Sequence, residues 1–341
     1  MTTPQPTFPD TLAGFGYTFK DGKLKNIQTG GPFVFAVRPD DNDYNQKHYE
    51  ALGELVQQEV YKLVKKESGM QKAPVPLNSQ PGDPQTFVFL SRDFMANEHK
   101  VLVLIQGSGA VRAGQWSRKL TINEGIEAGT QIPYMQLAQR DGYGVLVMNP
   151  NDNSQIVGTQ RQSIKTSLFE HKTWFFQLTI NEGIEAGTQI PYMQLAQRDG
   201  YGVLVMNPND NSQVVGNQRQ SIKLLNGSCY GILSPVLAAS APLASGVEFD
   251  KYKDDFKLRV IGVALTSSTH KIADGTGYND LIKISRHWQT SDQPLDTELQ
   301  TEENEIKRVS AGSNTHEATS QACMESVFKF FEERYRAVLE G

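Results

Sequence analysis

Two short runs in the sequence carry residue types suited to acyl-transfer chemistry. The first, Gly227-Ser228-Cys229-Tyr230-Gly231, has the pattern G-x-C-x-G. Glycines on either side of a nucleophile let the chain turn sharply between a strand and a helix, and a neighbouring base would ionise the thiol. The second, Gln106-Gly107-Ser108-Gly109, follows an apolar run at residues 101–105. Small residues there let backbone N–H groups approach a developing oxyanion. Each run also has a plainer reading. Cys229 can be a buried or incidental thiol, the more so because Pro235 interrupts a helix that would follow it. Residues 107–109 can be a tight glycine turn between a strand and a helix.

The remaining chemistry-bearing residues exclude more than they suggest. His48, His99, His171 and His287 show no metal-ligand spacing, and Cys229 and Cys323, 94 residues apart, make no zinc motif. The run from Gly107 lacks the later glycine and lysine of a phosphate-binding loop. Neither a metal nor a nucleotide cofactor is expected. There are 33 Lys and Arg against 38 Asp and Glu, a net charge of −5, and the densest basic stretch, residues 62–66, lies in a helical pattern as its solvated face. Phosphate binding needs clustered cations, so direct nucleic-acid contact is not expected. Two cysteines cannot make a disulfide framework, which fits a reducing compartment.

No secretory signal is expected at the start of the sequence, because residues 1–10 are polar and carry three prolines. Residues 224–247 have no charge, but Asn226, two prolines and four serines make a transmembrane helix there unfavourable. A soluble chain without membrane contact is expected.

The 341 residues allow two or three domains by length alone. A repeat changes that count. Residues 120–165 recur at 178–223 with a constant offset of 58, and only Ile156/Val214 and Thr159/Asn217 differ over the 46 positions. One near-verbatim copy is not a solenoid, which needs three or more units. It is a recent tandem duplication, or two alternative blocks joined in one reading frame. Without the 58-residue excess the chain has 283 residues, suited to one domain over residues 8–338.

The elements that must position these residues follow from pattern. Residues 16–27 alternate around Lys20-Asp21-Gly22 and predict a hairpin. A further strand is expected at 32–38. Apolar positions at helical period predict an amphipathic helix over 45–66, and a proline-rich loop spans 73–84. Buried strands are expected at 86–90, 101–105, 144–148 and 258–266, a helix at 132–140, a short strand at 308–312 and a closing helix at 320–338. Strand, helix and strand in that order imply parallel neighbours, so the class is α/β.

The run VLVLIQGSGAVRAGQWSRKLTINEGIEAGTQIPYMQLAQRDGYGVLVMNPN at 101–151 resembles the Argonaute-binding, Arb-two-type domain family, and within it the animal cotranscriptional regulators. FPDTLAGFGYTF and GGPFVFAVRPD near the start, KLRVIGVALTSSTH at 257–270, and QPLDTELQ with RVSAGSNTHEATS near the end carry the same resemblance. It implies an α/β-hydrolase-like fold with a mostly parallel central sheet flanked by helices and interrupted here by the duplicated helix-strand block. It also implies a protein of nucleus and cytoplasm that works with Argonaute, chromatin and splicing factors in alternative splicing or small-RNA silencing. Hydrolase activity attaches to that family chiefly through its fold.

Residue by residue, the resemblance places Gln106 at the first position of a His-Gly-Ser-Gly loop and Cys229 where relatives carry the serine of Ala-His-Ser-Tyr-Gly-Gly. It makes His316 the matching histidine in Ser310-Ala311-Gly312…His316-Glu317, and His270 a residue of the cleft. Relatives read Ala-Leu-Thr-Asp-Ser where this chain reads Ala264-Leu265-Thr266-Ser267-Ser268, so Ser267 stands in place of an acid. Asp274 or Asp296 could substitute, and spacing does not choose between them. The expectation is an interaction scaffold with a degenerate hydrolase site; the rival is an esterase or thioesterase using Cys229 and His316.

Overall fold

A computed structural model describes residues 6–75, 85–97, 99–107, 109–149, 151–152, 154–157, 160–163, 212–215, 218–221, 230–234, 260–268, 279–302 and 305–340. Strands β1 (Tyr17–Lys20) and β2 (Lys23–Asn26) form the expected hairpin. Asp21 and Gly22 both have positive φ, 52° and 72°, as a tight two-residue loop with right-handed strand twist requires. The tip of this hairpin docks on the protein body. The Gly22 carbonyl accepts the Ile126 N–H at 2.8 Å, and a Cβ on Gly125, itself at φ 114°, would lie 2.5 Å from that carbonyl oxygen. Only glycine fits there.

Helix α1 (Asn42–Glu67) begins three residues earlier than periodicity predicts, because the Asp41 side chain accepts the Tyr44 N–H and caps its first turn. Its buried face is Leu52, Val56, Val60 and Val64. Residues 32–38, expected as a strand, form none. Their N–H groups find other partners, Val34 on the Tyr17 hydroxyl and Arg38 on Asn45 Oδ1, and Val34, Phe35 and Val37 stay exposed. The expected loop at 73–84 begins inside a strand, β3 (Gln71–Val75). This strand lies at the sheet edge, where Pro74 can be accommodated without an N–H.

The elements that follow are β4 (Thr86–Leu90), β5 (Val101–Ile105), α2 (Arg118–Asn123), α3 (Ile126–Gly129), α4 (Ile132–Arg140) and β6 (Gly144–Val147). Two hairpins, β7 (Ser154–Val157) with β8 (Gln160–Ser163) and β9 (Ser212–Val215) with β10 (Gln218–Ser221), stand apart from the main sheet. Then come β11 (Tyr230–Ser234), β12 (Gly262–Thr266), α5 (Asn279–Lys283), β13 (Ser285–Gln289), β14 (Arg308–Ser310), α6 (Thr319–Ala322) and α7 (Met324–Glu340).

The main sheet has eight strands in the order β14-β13-β12-β11-β5-β6-β4-β3. The α/β class is as expected, but the sheet is mixed, which corrects the expectation of mostly parallel pairing. Parallel pairing is confined to β5–β6 and to β12–β13–β14. Strand β11 runs against both its neighbours, β5 and β12, an arrangement that needs no crossover helix. Strands β6 and β12 are buried at every residue and β5 at all but its first, so both faces of the sheet centre are covered. Helix α4 packs on β6 and α7 on β12, closing a core that includes Trp116, Tyr134, Trp288 and Phe331. Among the described residues no helix is long and apolar enough to cross a membrane.

Candidate functional site

Sheet register brings three expected site segments to one end of the molecule. Ile105, the last residue of β5, pairs with Gly231, and Tyr230, the first of β11, pairs with Thr266, the last of β12. Gln106 and Ser267 therefore leave the sheet at the same end, two strands or roughly 10 Å apart at the usual strand spacing. The carboxyl ends of parallel strands are where open α/β sheets place their ligands. Ser108, Cys229, His270 and Asp274 lie outside the described residues.

The loop after β5 is held by side chains from elsewhere. Asn151 Nδ2 donates to the carbonyls of Gly107 at 2.7 Å and Val111 at 2.9 Å, and Arg112 donates to that of Gly109. Gly109 has φ 120°, a conformation L-residues rarely adopt. Gln106 is 2% exposed, yet neither amide atom of its side chain has a hydrogen-bond partner among the described residues. A buried polar group left so costs on the order of 1–3 kcal/mol. A ligand offering both a donor and an acceptor would satisfy it.

At the end of β12 the backbone turns through an unusual residue. Ser267 has φ 50°, the left-handed region in which a non-glycine residue points to a constraint imposed by its surroundings. The constraints are visible. Its N–H donates to the Trp288 carbonyl at 2.7 Å, the next N–H, of Ser268, donates to His287 Nε2 at 3.1 Å, and Ser267 Oγ lies 2.6 Å from His316 Nδ1. His316 opens a 3₁₀ turn, His316–Ala318, that follows β14. The turn is tied to the first turn of α2 by Lys119 and Glu317, 3.2 Å apart. The Glu317 carboxyl is held below its ordinary range first by its own backbone N–H and then by Lys119.

Nδ1 is the ring atom an orienting carboxylate would hold in a serine hydrolase. Here it meets a hydroxyl, which fixes the ring but brings no charge to stabilise an imidazolium. Asp296, one of the two substitutes the sequence offers, is engaged elsewhere. Its Oδ1 accepts the Trp288 indole N–H at 3.1 Å and the Ser326 hydroxyl.

Several residues around the pair escape sequence reasoning. His287 is buried in β13 and accepts a backbone N–H through Nε2, so that nitrogen carries no proton. Thr266 Oγ1 and Ser320 Oγ are 2.8 Å apart, and the buried Tyr134 hydroxyl donates to the Ser320 carbonyl. Cys323, behind them, is fully buried, and burial drives its thiol pKa upward, which makes it a packing residue rather than a nucleophile. None of these contacts has a signature in local sequence, since each joins residues brought together by separate strands and helices.

The family profile described as the Arb2 domain matches residues 8–177. A mouse protein named cotranscriptional regulator ARB2A is 34% identical, the alignment covering 98% of this chain and 83% of the relative. Its homologue from Xenopus tropicalis is 36% identical over 98% and 82%, and one from Dictyostelium discoideum is 26% identical over 94% and 79%. No solved structure matches significantly.

Proposed function

Because the chain belongs to the Arb2 domain family, we propose that it acts, as its relatives' names state of them, in cotranscriptional regulation, and does so as a protein-interaction scaffold. The reading extends to partners: Argonaute together with chromatin and splicing factors, in splicing or small-RNA silencing, in the nucleus and also in the cytoplasm. The framework is α/β-hydrolase-like, with the site used for architecture rather than for a full catalytic triad. One observation carries this. Where a triad histidine needs a carboxylate, His316 Nδ1 meets the Ser267 hydroxyl. Loss of the orienting charge alone costs a triad enzyme about four orders of magnitude in rate.

Immunoprecipitation of the tagged full chain from nuclear extract tests the proposal. Argonaute is expected to be recovered equally by the wild type and by His316→Ala. Failure to recover it, or its loss in the variant, would overturn the scaffold reading.

A second reading, an esterase or thioesterase with Cys229 as nucleophile, is favoured by the start of β11. Tyr230, the residue after Cys229, pairs with Thr266 at the edge where Ser267 and His316 meet. It requires turnover of activated esters that disappears in Cys229→Ala.

A further inference from the structure

The geometry points to Ser267, rather than Cys229, as a reactive nucleophile, forming with His316 a serine–histidine dyad that accepts acyl groups from activated esters and thioesters. This goes beyond the scaffold role, which needs no chemistry at this site. Three observations converge on it. The Oγ to Nδ1 distance is 2.6 Å, within the reach at which an imidazole takes a hydroxyl proton. The serine stands at a strand terminus in a left-handed backbone conformation, φ 50°, which three hydrogen bonds around residues 267 and 268 hold in place. Strain of this kind concentrates where a side chain must be presented in one orientation. The approach is also suitable, because Ser267 is buried at 7% exposure while His316 is only half-buried and follows the exposed residues Asn314 and Thr315.

The step balances without a cofactor. His316 Nδ1 takes the Ser267 proton as Oγ forms a bond to the acyl carbon, and the bond from that carbon to the leaving oxygen or sulfur breaks. The leaving group then takes the proton from His316. Water attacks the acyl-serine, gives its proton to the same nitrogen, and releases a carboxylic acid with Ser267 restored. What limits the dyad is equally plain. The N–H groups of Ser267 and Ser268 already donate to Trp288 and His287, so neither serves a developing oxyanion. A missing oxyanion donor costs about 100- to 1,000-fold in rate, which confines the chemistry to substrates whose leaving groups need little assistance.

The test is covalent labelling of the full chain with a fluorophosphonate, followed by peptide mapping. A single adduct on Ser267 is expected, slowed at least about 100-fold in His316→Gln. Ser267→Gly, which suits the positive φ and so keeps the fold, abolishes the adduct. Absence of label on Ser267, or labelling that His316→Gln leaves unchanged, overturns the dyad. Either result leaves Argonaute recovery unaffected, so failure here and failure of the scaffold reading are distinguishable.

Discussion

Residues 120–165 and 178–223 have the same sequence apart from two positions, and each contributes a hairpin of the same register. In the first, Ser154 pairs with Ser163 and Val157 with Gln160; in the second, Ser212 pairs with Ser221 and Val215 with Gln218. The first copy also supplies most of α2 and all of α3, α4 and β6, with β6 inserted between β4 and β5. A hairpin is set by a few local residues, here two-residue connections that begin with Gly158 and Gly216, so it forms wherever its sequence stands. A buried strand is different, because the sheet has one slot beside β5, and identical letters cannot both fill it. The flanks differ as well. Trp116 and Trp174 stand at equivalent positions, but Ser117-Arg118-Lys119 precede the first copy and Phe175-Phe176-Gln177 the second. Ser117 caps α2 by accepting the Leu120 N–H, and Arg118 pairs with Glu54 at 2.8 Å.

The largest effect should come from placing a charge in the occupied slot. Leu146 is fully buried in β6, and Leu146→Asp is expected to cost about 4 kcal/mol or more by urea unfolding. Its twin, Leu204→Asp, should cost less than about 1 kcal/mol. Equal effects would break the assignment of the first copy to the slot. Next in size is removal of the excess. Deleting residues 120–177 shortens the connection between the hairpin and β11 from 66 residues to 8. At about 0.6 kcal/mol for each halving of loop length, that gives a gain of roughly 2 kcal/mol, read as a rise of several degrees in Tm. A lower Tm would mean that both copies are needed.

Smaller effects test the flanks. Ser117→Ala should cost about 1 kcal/mol through the lost cap, whereas Phe175→Ala should change unfolding little. Lys119→Ala should cost no more than about 0.5 kcal/mol, because its pair with Glu317 is largely exposed, and less in high salt. Since Glu317 titrates below its ordinary range when folded, its contribution is complete above the unfolded carboxyl pKa. It disappears as pH falls through the depressed value, so the cost of Lys119→Ala should vanish in acid.

Much of the scaffold was legible from local signals. Thr86–Leu90 and Val101–Ile105 read as buried strands and are β4 and β5. Helix α4 occupies the expected residues 132–140, with Pro133 in its first turn, where proline is tolerated. What misled was context. Residues 32–38 have strand-like composition but give the N–H groups of Val34 and Arg38 to side chains, while Ser285–Gln289, with no β-branched residue, becomes β13 because β12 and β14 flank it. The site divides the same way. His316 and the loop at Gln106 were marked by resemblance to a family pattern. The bond between Ser267 and His316 joins residues 49 apart and depends on a positive φ that no serine announces.

The ion pair between Lys119 and Glu317 also bears on how such a chain would be inherited. The two copies match almost letter for letter, so recombination between them can cross over at any of their shared positions and excise the same 58 residues. Every such product keeps Lys119 in front of the surviving copy, and with it the tether beside His316. Were the repeat a duplication in the gene, it would be reversible in this way, with the neighbourhood of the histidine carried unchanged through gain or loss.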